Sequence, residues 1–89
     1  MLRLTRTAQS PSEVVLKAEG QIVAEWVGLL EAECRELLGG DQRVMLDLGD
    51  VSYLDRQAVR VLRELSRGAL ALVNCPPLVA ELLTEDSAE

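Results

Sequence analysis

Eighty-nine residues of 9.7 kDa leave room for one small hydrophobic core and exclude a two-lobed enzyme with a cleft between its domains. With 48% hydrophobic and 27% charged residues the chain has the composition of a folded globular domain, whereas a net charge of −6 and only two aromatics, Trp26 and Tyr53, exclude binding of nucleic acid through bulk positive charge or base stacking. Histidine is absent and Cys34 and Cys75 stand apart, so Cys/His zinc sites and Ser-His or Cys-His catalysis lack their raw material, and neither cofactor nor metal is expected.

The chain opens with alternation. Leu2 and Leu4 fall on one face and Arg3 and Thr5 on the other; a polar break at Gln9-Ser10-Pro11-Ser12 follows, then Val14, Leu16 and Ala18 alternate with Val15, Lys17 and Glu19. Two strands joined by a turn account for this. From Val23 to Leu38 the period becomes helical, with Val23, Trp26, Val27, Leu30, Cys34, Leu37 and Leu38 on one stripe and glutamates filling much of the rest. Gly39-Gly40-Asp41 ends that helix, because glycine relieves the left-handed conformation common at helix C-termini.

Arg43 to Leu48 reads as a strand with Val44, Leu46 and Leu48 inward and Met45 and Asp47 outward. After Gly49-Asp50, the stretch Val51 to Leu54 leads to Asp55, an N-cap for a second helix to about Arg67 with Ala58, Val61, Leu62 and Leu65 inward. Gly68 ends it. Ala69 to Asn74 reads as a buried strand, Cys75-Pro76-Pro77 as a break, and Leu78 to Leu83 as a short closing helix. Residues 1–83 thus form one domain, and residues 84–89 are expected to be a frayed acidic tail.

This order predicts an α/β domain: a mixed sheet of about four strands with helices packed on one face, since right-handed crossovers bring both helical connections to the same side. The uncovered face would carry Val15, Met45, Ala71 and Val73 among Arg3, Thr5, Lys17 and Asp47. Such an apolar patch makes a homodimer through that face an expectation, with the interspersed charges arguing for a monomer. No apolar run approaches the roughly 20 residues of a membrane span, no secretory h-region is visible, and the isolated cysteines suit a reducing compartment, so a cytoplasmic protein without direct membrane insertion is expected.

Within this frame, Val44 to Asp55 (VMLDLGDVSYLD) resembles the central signature of the STAS domain of bacterial anti-sigma factor antagonists. Leu16 to Ile22 resembles that family's glycine-containing strand before the first helix, and Leu72 to Pro77 its late strand and proline turn, so the resemblance covers residues 2–83. It implies a non-enzymatic, STAS-like regulatory fold that binds a protein partner. In the antagonists the aspartate matching Asp55 is followed by two small hydroxyl residues and a glycine, and the hydroxyl before the glycine is phosphorylated by a partner kinase. Here the turn reads Asp55-Arg56-Gln57-Ala58, so Gln57 stands in the phosphoacceptor position without a hydroxyl.

Arg56, Arg60, Arg63 and Arg67 are spaced by four, three and four residues and form one stripe opposite the inward positions. Two readings stay open: a docking strip for an acidic surface or phosphate, or a solvated helix face balanced by Glu64 and neighbouring acids. Asp47 and Asp55 are better explained as a polar sheet residue and a helix cap than as an acid-base pair or metal site, since no third ligand converges with them. Trp26 and both cysteines are expected to be core residues.

The functional expectation is a regulatory module that presents Ser52, Arg56, Arg60, Arg63 and Arg67 to an anti-sigma factor or kinase-like regulator. An alternative from a different class is an accessory subunit of a bacterial ABC-type lipid-transport complex. A third is anion or nucleotide binding at the start of the second helix, where free N–H groups meet Arg56 and Arg60.

Overall fold

A computed structural model of the protein describes residues 2–85. The elements run β1 (Leu2–Gln9), β2 (Glu13–Ile22), α1 (Glu25–Leu38), β3 (Arg43–Leu54), α2 (Arg56–Ser66), β4 (Leu70–Val73) and α3 (Pro77–Glu85). The strands lie in the order β1-β2-β3-β4, β1 antiparallel to β2 and the other pairs parallel, so the sheet is mixed as expected.

Inward positions alternate along the strands as the pleat requires: Val14, Leu16 and Ala18 of β2 and Val44, Leu46 and Leu48 of β3 are buried. They meet Val27, Leu30, Cys34 and Leu37 of α1, Ala58, Val59, Leu62 and Leu65 of α2, and Val79 of α3 in one continuous core. Among the described residues no polar or charged residue is buried. On the other face Val15, Met45 and Ala71 stand in one register row and Thr5, Lys17, Asp47 and Val73 in the next, so the expected mixture of apolar and charged side chains is present.

Several boundaries differ from the sequence reading. β3 does not stop at Leu48 but continues to Leu54, because it bulges at two points and returns Val51 and Leu54 to the core. Asp47 sets the first irregularity: its carboxylate Oδ1 accepts the Gly49 N–H at 2.8 Å, a local turn that the Asp-x-Gly sequence favours. β2 likewise runs through Gly20, whose φ of 103° only glycine adopts without strain, and reaches Ile22.

α1 starts at Glu25 and buries four positions, while Trp26 and Leu38 pack against the core from its rim. In α2 the buried set contains Val59 instead of Val61. Val61 is half-buried and packs against the core from its edge. β4 is two residues shorter than expected. α3 carries the chain in helix through Glu85, so Thr84 and Glu85 of the expected acidic tail are helical, and its residues 86–89 lie outside the described residues. No helix among the described residues is long and apolar enough to cross a membrane.

Candidate functional site

β2 and β3 are parallel and finish side by side, with Ile22 opposite Leu54. α1 leaves from the end of one and α2 from the end of the other, so both helix N-termini lie at the same end of the sheet. Asp55 occupies the junction. Its backbone is extended, φ −83° and ψ 177°, and its Oδ1 accepts the Ala58 N–H at 2.8 Å as the cap of α2. Its Oδ2 accepts the N–H of Ala24 at 2.8 Å, and its own N–H donates to the Ile22 carbonyl at 3.2 Å.

One carboxylate therefore secures the starts of both helices. Only the first of these bonds is readable in the sequence. Ala24 sits at the N-cap of α1, which has no side-chain cap of its own, and holds φ 51° and ψ −124°, a conformation rare for any residue with a Cβ. The available signal is negative: Val23-Ala24 offers none of the Ser, Thr, Asp or Asn that normally precede a helix, so an outside acceptor is required. Ala24→Gly is expected to raise stability by about 1 kcal/mol by relieving the strain, measured by urea denaturation. A destabilised glycine variant would place the strain elsewhere.

The four turn residues separate once folded. Asp55 is half-buried and bonded through both oxygens, Ala58 is buried in the core, and Arg56 and Gln57 project outward at the first turn of α2. Arg56 is the first helical residue and no acid occupies that first turn, so a cation stands at the positive end of the helix dipole. This is locally unfavourable by about 0.3–1 kcal/mol. Ser52, in the stretch leading to the turn, lies within β3; it is exposed and its hydroxyl donates to the Gly20 carbonyl at 3.3 Å.

Along α2, Arg60 and Arg67 are exposed and Arg63 is half-buried. With Glu64 the three arginines line a shallow surface hollow of about 340 Å³. Glu64 stands among these arginines, one turn from both Arg60 and Arg67, and also faces α1. It extends to Arg35 at 3.7 Å, and Arg35 in turn binds Glu31 at 2.8 Å one turn earlier in α1.

The remaining titratable groups do not converge on this site. Among the described residues no three His, Cys, Asp or Glu side chains come close enough to hold a metal. Asp47 and Asp55, paired by the sequence motif, are each engaged by backbone N–H groups. Lys17 bonds Asp50 at 2.8 Å on the open sheet face, and that hydrogen bond and charge hold its pKa above the ordinary lysine value. Burial, assisted by the neighbouring Glu33 charge, pushes the Cys34 thiol up to about 11 and makes it a poor nucleophile. Cys75 is only half-buried, contrary to the expectation of a core residue, because it sits in the break after β4; partial burial still raises its pKa.

A family model described as Mlab, STAS domain matches residues 5–85. Among curated proteins none matches the chain significantly. Among solved structures, the anti-sigma factor antagonist SpoIIAA in its unphosphorylated form is similar with a TM-score of 0.69 and 17% identity, covering 98% of this chain and 81% of that one. The crystal structure of Mglu is similar with a TM-score of 0.66 and 19% identity over 86% of this chain and 20% of that one. At these identities the two structures speak to the fold, which in both is that of the mixed sheet and helices described above. The family model spans nearly the whole of the same fold, and the chain belongs to the STAS domain family, in the group whose model is described as Mlab, STAS domain.

Proposed function

We propose that the protein is a non-catalytic regulatory module that binds a protein partner through the start of α2 and the arginine stripe behind it, without a phospho-switch in the turn. The observation that carries this reading is Arg56. An exposed cation stands at the first helical position, where the helix dipole opposes it, and the neighbouring Asp55 carboxylate is engaged by two backbone N–H groups, which leaves the Arg56 guanidinium available to a partner. Ser52, Arg60, Arg63 and Arg67 extend that surface along the strand end and the helix.

Similarity to the antagonist SpoIIAA supports an anti-sigma factor or kinase-like regulator as the partner. The second reading, an accessory subunit of an ABC-type lipid-transport complex, is favoured by Gln57. A face that phosphorylation cannot switch suits a permanent subunit, and the matching family model bears the Mlab description. Incubation with a serine kinase and ATP is expected to leave residues 55–58 unphosphorylated by mass spectrometry; stoichiometric phosphate on Ser52 would move the switch into β3 and overturn the reading of Gln57. Affinity capture with the full chain tests the binding role and separates the two partners: recovery of either an ATPase-fold regulator or an ATP-binding transport subunit, lost with Arg56→Glu, is expected. Capture that is indifferent to Arg56 would contradict it.

A further inference from the structure

We infer that the hollow lined by Arg60, Arg63 and Arg67 is the seat of an acidic helix of the protein partner, one that presents carboxylates at three- and four-residue spacing. This rests on the reading of α2 as the docking face and specifies what lies on it. The chain carries 15 acids against 9 bases, yet four of the nine bases stand on one stripe of α2, and α2 itself contains a single acid, Glu64.

Of the five cations outside the stripe, three are held in ion pairs among the described residues. Arg6 meets Glu33 at 3.4 Å, Lys17 meets Asp50 at 2.8 Å, and Arg35 holds both Glu31 and Glu64. Arg60 and Arg67 have no carboxylate within bonding distance among the described residues, and the single acid that shares their hollow, Glu64, lies 3.7 Å from Arg35 of α1. The structure therefore keeps positive charge concentrated at this place in a protein whose overall charge is −6.

Shape decides what the charge fits. From Arg56 to Arg67 the stripe extends about 17 Å along one helix, three turns, at 1.5 Å per residue. Guanidinium groups a turn apart match carboxylates a turn apart on a second helix, each pair able to form the two-pronged hydrogen bond that lysine cannot make. An anionic bilayer fits less well. It would meet the Glu31-Arg35-Glu64 row alongside the stripe as well as the stripe itself, and would repel a chain of net charge −6.

The test is a titration of the isotope-labelled full chain, followed by amide and arginine side-chain NMR, with a 14-residue helical peptide carrying glutamate at alternating three- and four-residue spacing. Parallel arms use inorganic phosphate at matched ionic strength and phosphatidylglycerol vesicles. Saturable shifts centred on Arg60, Arg63 and Arg67, weakened at least tenfold in Arg60→Glu/Arg67→Glu and diminished by salt, are expected. The uncharged Arg60→Gln/Arg67→Gln variant should fall between, and the dispersion of each spectrum reports that the variant is folded. Absence of saturable shifts, shifts undiminished in the double reversal, or tighter binding by phosphate or vesicles than by the peptide would overturn the inference. Peptide seated in the hollow while the partner contacts another face would defeat the reading of function alone. A partner held at the start of α2 with no peptide binding would defeat the acidic helix alone.

Discussion

Asp55→Ala is expected to lower the unfolding free energy by about 2 kcal/mol, about 1 from the α2 cap and a similar amount from the second charge-assisted bond. The Oδ1 and Oδ2 bonds, both 2.8 Å, end on different elements, so their loss frays α2 and frees Ala24 from the acceptor that holds its strained backbone. For a domain of this length the melting temperature should fall by roughly 10 °C. Asp55→Asn is the informative companion. Its single carbonyl oxygen can keep the cap but cannot also accept from Ala24, so an intermediate loss is expected in thermal or urea unfolding. An alanine variant that melts with the parent would show that the carboxylate is dispensable to the junction.

Arg56→Glu should move stability and binding in opposite directions. Replacing a cation by an anion at the first helical position reverses an unfavourable dipole interaction into a favourable one, worth about 0.5 kcal/mol or somewhat more. In the complex the same change puts a like charge against whatever complements Arg56, and a tenfold or greater weakening, about 1.4 kcal/mol, is expected from calorimetry with the captured partner. A variant that is both more stable and weaker in binding cannot be explained by damage to the fold. Loss of stability with unchanged affinity would return Arg56 to an ordinary surface residue.

Much of the fold is readable from periodicity because one buried face enforces it. The alternation at Val14, Leu16 and Ala18 and the helical stripe at Val27, Leu30, Cys34 and Leu37 are the positions that the core selects, and they lead to the observed mixed sheet with its helices. What was not readable depends on backbone geometry. The two irregularities that carry β3 on to Leu54 change the strand's period, so a two-residue pattern breaks at Gly49 although the strand does not. In α2 both Val59 and Val61 fit a helical stripe, and which of them is fully buried is set by tertiary packing that no local pattern contains.

The candidate site divides in the same way. Asp55 as a cap, the arginine stripe and the missing hydroxyl at Gln57 are local and legible. The bond from Asp55 to Ala24 joins residues 31 apart in sequence, and the contact of Glu64 with Arg35 crosses the helix pair. Long-range polar contacts of this kind leave no periodic trace, which is why the sequence placed Glu64 beside the stripe but did not reveal its contact with Arg35.

The central claim, that the start of α2 is where a partner binds, is tested most directly by site-specific photo-crosslinking of the full chain in its native cell. A photoreactive residue at exposed Gln57 is compared with one at exposed Ala71 on the open sheet face. Covalent capture of a single partner from position 57 and none from position 71 is predicted. Capture from position 71 with none from position 57 would contradict the account and move the docking surface to the uncovered face of the sheet.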